Sequence, residues 1–180
     1  MPEISIRPAT VEDLPFLIKI EHSYQSLYVW QMDRSLEEGQ ILINFRLTRL
    51  PRPVKVEYTG SHPLMNEDNW SRYQAVLIAC FQQVPVGYVG ISDQIIPKTV
   101  WITDLVVRED LRRQGIGTAL MLAAQEWGAE HQYRKAILET QSKNHPAIQM
   151  ARKLGYEFCG YNDHYFANQD IALFFSRSLR

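Results

Sequence analysis

Apolar and polar residues alternate at Ile4-Ser5-Ile6-Arg7, the period-two pattern of a short strand with one buried face. The period then lengthens. Thr10-Val11-Glu12-Asp13 fits a capping box, with Thr10 accepting from first-turn amides and Asp13 reaching back. Leu14, Leu17, Ile18 and Glu21 follow at helical spacing, and Pro15 is tolerated because it lies in the first turn. The opening therefore predicts a strand leading into an amphipathic helix. Residues 41–47 and 54–58 read as strands broken by Pro51 and Pro53, and residues 61–69 as a polar loop. The rest of 24–70 has no pattern that selects an element.

From Gln74 onward the pattern sharpens. Residues 75–81, a turn at Gln82-Gln83, and residues 84–92 predict two adjacent antiparallel strands. Pro97 breaks the chain before a strand over 100–107. A helix follows over 115–130, with Ile116, Leu120, Ala123, Ala124 and Trp127 on one face. A short strand over 135–139 precedes a second helix over 146–154, opened by Pro146 and stopped by Gly155. Residues 156–161 and 171–175 predict two closing strands. With no internal repeat and no linker, residues 1–180 are expected to form one α/β (or α+β) domain.

Composition agrees. The chain of 180 residues is 46% hydrophobic and 22% charged, close to the soluble globular average and enough for a real core. Nineteen Lys and Arg against 20 Asp and Glu give a net charge of -1, so the basic excess of a nucleic-acid binder is missing. The longest apolar run, residues 75–81, is far shorter than the roughly 20 residues that span a bilayer. Met1-Pro2-Glu3-Ile4 has neither a basic n-region nor an apolar h-region, so no secretory signal is expected. Two cysteines, Cys80 and Cys159, make no disulfide framework. A cytoplasmic location is the expectation, with no membrane or nucleic-acid partner.

Chemistry concentrates at Arg112-Arg113-Gln114-Gly115-Ile116-Gly117-Thr118, between a strand and a helix. Free amides at a helix N-terminus point outward, and the helix dipole favours an anion there. Gly115 is free to take a positive φ for the turn, and Gly117 lets a ligand oxygen approach the backbone without meeting a Cβ. Two arginines add fixed charges suited to phosphate oxygens. A nucleoside-triphosphate loop would need a Lys after its second glycine, and a dinucleotide fingerprint would need a third glycine at 118–120; neither is present. An ordinary polar strand-to-helix turn with solvated arginines is the bland alternative.

The stretch Asp104-Leu105-Val106-Val107, followed by Leu111-Arg112-Arg113-Gln114-Gly115-Ile116-Gly117-Thr118-Ala119-Leu120, resembles the acetyl-CoA signature Arg/Gln-x-x-Gly-x-Gly/Ala of the GNAT N-acetyltransferase superfamily. Ile6-Arg7-Pro8-Ala9-Thr10 to Asp13-Leu14 is similar to that family's usual opening. Asn144-His145-Pro146-Ala147 to Lys153-Leu154-Gly155-Tyr156 resembles the Asn-x-x-Ala to Gly-Phe run of its second conserved helix. Leu138-Glu139-Thr140-Gln141 and Ile171-Ala172-Leu173-Phe174-Phe175 look most like the streptothricin acetyltransferase branch. The resemblance covers residues 4–21 and 75–175. It implies a mixed, mostly antiparallel central sheet flanked by helices, acetyl-CoA as cosubstrate, and a primary amine of a small molecule or peptide as acceptor; no metal is expected, since none of the five histidines has zinc-ligand spacing with cysteine. Strand backbone at Leu105, Val106 and Val107 would pair with the pantetheine arm. Amides of Gln114, Gly115, Ile116, Gly117 and Thr118, with the Arg112 and Arg113 side chains, would hold the pyrophosphate. Asn144 would hydrogen-bond the cofactor; read from the residues alone, it is equally a helix cap.

Transfer to an amine needs a neutral nucleophile. A lysine-type amine has a pKa of about 10.4, so neutrality at pH 7 costs roughly 4–5 kcal/mol, and a carboxylate relieves that cost by taking the proton. Asp104, on the strand beside the cofactor motif, is the candidate, with a structural role as its alternative. Glu139 and Asp163 are rivals that read as solvated strand-end charges. The family's tyrosine, proton donor to the leaving thiolate, would fall at position 151, which is Ala151. Tyr156, Tyr161, Tyr165 or water would have to replace it. A CoA-binding or interaction module without turnover is therefore the alternative to an N-acetyltransferase. Trp70, Tyr73, Trp101 and Trp127 read as core or interface aromatics. The unassigned 24–70 region is open to serving as a homodimer interface or a lid.

Overall fold

Thr10 and Asp13 begin the first helical turn as their pattern predicts. In the computed structural model, which describes residues 3–57 and 70–179, Asp13 Oδ2 accepts from the Thr10 amide at 2.8 Å and from its hydroxyl at 3.2 Å. Arg7, at the end of β1 (Ile4–Pro8), grips both oxygens of that carboxylate at 2.8 Å. A 3₁₀ turn (Val11–Asp13) leads into α1 (Leu14–Leu17). The helix expected to reach Glu21 is thus shorter. After Ile18 its bonds tighten to the i→i−3 type, from Lys19 to Phe16 and from Ile20 to Leu17, which turns the chain out of the helix.

The segment that follows, whose pattern selects few elements, forms one long hairpin, β2 (Tyr24–Glu37) and β3 (Gln40–Val56). The two separate strands expected here are one, and the prolines do not divide it. Pairing runs from Glu37↔Gln40 to Tyr28↔Arg49 and resumes at Ser26↔Val54, so residues 50–53 bulge out without partners. Pro51 and Pro53, which lack a backbone N–H, fall within that bulge, where no ladder donor is required. The expected strand end at Tyr58 and the loop over 61–69 lie outside the described residues.

The remaining strands are β4 (Ala75–Phe81), β5 (Val84–Ser92), β6 (Thr99–Val107), β7 (Lys135–Gln141), β8 (Glu157–Asn162) and β9 (Ala172–Ser178). They join β1 in one sheet of order β1-β4-β5-β6-β7-β9-β8. Gln82 and Gln83 take φ of +49° and +65°, the tight-turn geometry of a two-residue hairpin between β4 and β5. All described neighbours in the sheet run antiparallel except β6 and β7. A parallel pair needs a crossover, and α2 (Ile116–Glu130) supplies it. The result is the mixed, mostly antiparallel sheet flanked by helices that the resemblance implies.

α2 lays Ile116, Leu120, Met121 and Ala124 against Leu77, Val89, Ile91 and Ile102 on one sheet face. Of the expected helix face, Ala123 and Trp127 are only partly buried, and Met121 turns inward instead. Leu14, Leu17 and Ile20 cover Ile78, Tyr88 and Val106 on the other face. α3 (His145–Lys153) follows β7. The β2–β3 hairpin rests on this end of the molecule, with the Trp30 amide donating to Ser142 O at 2.9 Å and the Phe45 ring against Phe158 and Tyr161. Cys80 is buried, Cys159 exposed, and both are free thiols. Among the described residues no helix is long and apolar enough to cross a membrane.

Candidate functional site

β6 and β7 begin side by side and then part. Their pairing runs from Thr99↔Lys135 to Ile102↔Leu138 and stops. At the same level the β5–β6 register steps from Ile91↔Ile102 to Gly90↔Asp104, leaving Thr103 as an extra residue. Such a bulge bends the strand that carries it. Beyond it, β6 stays bonded to β5 and β7 to β9, while their inner edges face a cleft of about 650 Å³. Leu105, Val106 and Val107 line one wall, Glu139, Thr140 and Gln141 the other. An unpaired strand edge is a row of main-chain donors and acceptors that an extended amide-bearing chain can join.

The N-terminus of α2 closes one end. Gly115 caps it at φ +89°, preceded by Arg113 at φ +64°. The Ala119 amide bonds Gly115 O at 3.0 Å, so the amides of Ile116, Gly117 and Thr118 precede the first helical bond and have no helical partner. Gly115, Gly117 and Thr118 line the cleft, whereas the Ile116 side chain is in the core. A Cβ built on Gly117 would stand 3.6 Å from Met150 Sδ and 3.9 Å from Val107 Cγ2, in ordinary contact, so larger groups there project into the space a ligand would take. The Gln114 side chain is exposed and donates to Asp110 O at 3.2 Å.

The two arginines differ. Arg112 donates from Nε to Val107 O at 2.8 Å, from Nη1 to Ser23 O at 2.7 Å and from Nη2 to Glu21 O at 2.6 Å. It lines the cleft but also ties the chain after α1 to the end of β6. Arg113 is exposed and lines the cleft as well.

Two buried carboxylates line the cleft where the strands part. Asp104 is 3% exposed, and its Oδ2 accepts from the Tyr73 hydroxyl at 2.8 Å and the Thr103 hydroxyl at 2.9 Å. Burial, reinforced by the Asp104 charge, holds the Tyr73 proton far above the usual phenol range. Glu139 is 6% exposed, and its Oε2 accepts from Trp101 Nε1 at 2.9 Å and the Tyr165 hydroxyl at 3.0 Å. It is therefore no solvated strand-end charge. β7 is covered on that face by Trp101 and Tyr165, which no local pattern around Glu139 discloses. Asp163 is partly exposed and lies 3.8 Å from Arg34. His22, another lining residue, meets the Tyr88 hydroxyl at 3.1 Å, and burial lowers its pKa.

Asn144 caps α3, its Oδ1 accepting from the Ala147 amide at 3.2 Å, and it lines the cleft at the same time. Ala151 is fully buried in the core under α3. Neither Tyr156, Tyr161 nor Tyr165 lines the cleft. Tyr24 does. It lies in the stretch whose pattern selects no element, and only the path of the hairpin brings it there.

Comparison with known proteins agrees with this architecture. The model of the acetyltransferase (GNAT) family matches residues 44–156, and the chain belongs to that family. It is 35% identical over 72 residues to an N-alpha-acetyltransferase of Sulfurisphaera tokodaii, a match covering 39% of this chain and 43% of that protein. The chain spans about half the length of the curated relatives it matches. Its fold superposes on a Bacillus anthracis protein assigned as a streptothricin acetyltransferase, solved in complex with acetyl coenzyme A, with a TM-score of 0.77 and 20% identity over 98% of this chain and 99% of that one. The nourseothricin acetyltransferase structure matches with the same score, identity and coverage.

Proposed function

We propose that residues 1–180 form one acetyl-CoA-binding domain that moves an acetyl group to a primary amine of a small molecule or a peptide. The observation that carries this reading is the cleft between β6 and β7, open along both strand edges and ending at the bare amides of α2. The amides of Gln114, Gly115, Ile116, Gly117 and Thr118, with Arg113, would hold the pyrophosphate. Arg112 would contribute through the N–H groups not already given to Glu21, Ser23 and Val107. The β6 edge at Leu105, Val106 and Val107 would hold the pantetheine amides, and Asn144 would add a donor through the Nδ2 that its cap leaves unused. The bound cosubstrate supplies a thioester carbonyl. Main-chain amides would polarise it.

Asp104 is assigned as the acceptor of the amine's proton, directly or through a water, with Glu139 as the second carboxylate in reach of the same cleft. Both acceptor classes, small molecule and peptide, have counterparts among the relatives named above. Leu36 and Ile41, paired across the hairpin tip and 73% and 71% exposed, support a homodimer, which sedimentation would detect. The cytoplasm is the compartment we assign. The deciding experiment offers acetyl-CoA with a panel of amines and follows free thiol. Acceptor-dependent thiol release is expected; binding of acetyl-CoA with no release for any amine would leave a binding module.

A further inference from the structure

With Ala151 where the family pattern has a tyrosine, the departing sulfur needs its proton from another group. Tyr156 is 2% exposed, Tyr161 packs edge-on to Phe45, and the Tyr165 hydroxyl is committed to Glu139. Among the described residues lining the cleft, Tyr24 is the one tyrosine.

Its placement is fixed from two sides. Tyr24 begins β2 directly after the segment whose Glu21 and Ser23 carbonyls Arg112 holds. From there its hydroxyl donates to Gln141 Oε1 at 2.7 Å, at the end of the opposite wall. Gln141 is itself buried and donates through Nε2 to Asp170 Oδ2 at 3.3 Å, and Asp170 Oδ1 pairs with Lys143 Nζ at 2.5 Å. This chain of bonds keeps the phenol between the β6 side and the β7 side of the cleft. Burial, with the Asp170 charge, raises its pKa, so the phenol is protonated when the coenzyme binds; the same burial makes it a weaker acid, and its proton moves only as negative charge develops on the sulfur.

We propose that Tyr24 donates the proton that the coenzyme sulfur takes up on leaving, an assignment that rests on the acetyl-transfer reading above. As the amine nitrogen bonds the thioester carbon, the C–S bond breaks and sulfur keeps the electron pair. The Tyr24 O–H turns from the neutral Gln141 oxygen to the charged sulfur, the stronger acceptor, and transfers its proton. The amine's proton goes to the cleft carboxylate, which releases it to solvent while solvent returns one to the phenolate. Amine and acetyl-CoA thus become amide and CoA with no other reactant.

The test compares Tyr24→Phe with the unaltered protein, first by calorimetry with CoA and with desulfo-CoA. Above the thiol pKa, the unaltered protein should prefer CoA by about tenfold more than the variant does, the factor that one pKa unit represents. Acetyl-CoA affinity should hold, since phenylalanine keeps the ring, and the variant should stay folded with a lower melting temperature for the donor lost from buried Gln141. With an accepted amine, kcat should fall at least tenfold at unchanged KM for acetyl-CoA. An equal preference for CoA in both proteins, or an unchanged kcat, overturns the role of Tyr24 alone. If the unaltered protein binds neither coenzyme form, the transfer reading falls and the assignment with it.

Discussion

Trp101 Nε1 donates to Glu139 Oε2 at 2.9 Å, joining the two strands that part to form the cleft just beyond their last paired residues, Ile102 and Leu138. Trp101→Phe removes a donor from a buried carboxylate and should cost about 1–3 kcal/mol, read as a lower denaturation midpoint at unchanged slope.

Asp104→Asn should reduce kcat by about a hundredfold, with acetyl-CoA affinity preserved, because the variant keeps the shape but not the basicity of a proton acceptor. Steady-state kinetics of Asp104→Asn and Glu139→Gln side by side decide the assignment. A smaller loss in the Asp104 variant than in the Glu139 variant would move the role to Glu139.

Arg112 and Arg113 should separate stability from binding. Arg112→Ala strips a charged donor from the carbonyls of Glu21, Ser23 and Val107 and should destabilise by roughly 2 kcal/mol. Arg113→Ala, exposed at the cleft, should leave the melting temperature in place while weakening acetyl-CoA binding in a salt-dependent way. Paired melts and titrations at two ionic strengths check both.

Gly117→Trp should fold and lose acetyl-CoA. The Cβ itself meets only ordinary contacts, but an indole projecting from it occupies the cleft. Calorimetry that finds acetyl-CoA binding unchanged would dismiss α2 as the phosphate cradle.

Acid should weaken the fold in part through His22. Burial lowers its pKa in the folded chain, while the unfolded side chain titrates near 6.5. The unfolded state therefore binds more protons once pH falls below that value, so the contribution is complete above about 6.5 and is lost below it. Urea midpoints measured between pH 7.5 and 5 should decline, and His22→Gln should flatten that decline.

Local pattern was enough wherever one residue's neighbours in sequence were also its neighbours in space. Asp13 reaching back to Thr10, the Gln82-Gln83 turn and the bare amides at the start of α2 are short-range arrangements, and turn chemistry discloses them; the stripe of α2 was legible in part, with Met121 inward where Ala123 and Trp127 were expected. The helix after Asp13 ends early in i→i−3 bonds at Lys19 and Ile20, and the chain that leaves it is held by Arg112, 91 residues from Glu21, a contact no local pattern announces. The prolines at 51 and 53 looked like strand breakers because nothing local announces that Leu27 alone faces a four-residue bulge.

The sequence by itself determined the strands and helices of residues 75–175 and the glycine-bearing turn before α2, since each depends on spacing and backbone freedom within a few residues, while the mixed sheet was implied by the family resemblance. Only the tertiary structure decided that β6 and β7 separate after Ile102 and Leu138, that Glu139 is buried under Trp101 and Tyr165, and that Tyr24 reaches Gln141 from 117 residues away. Those facts depend on which strands become neighbours and where their pairing ends, and contacts over such separations are set by the packing of the whole sheet.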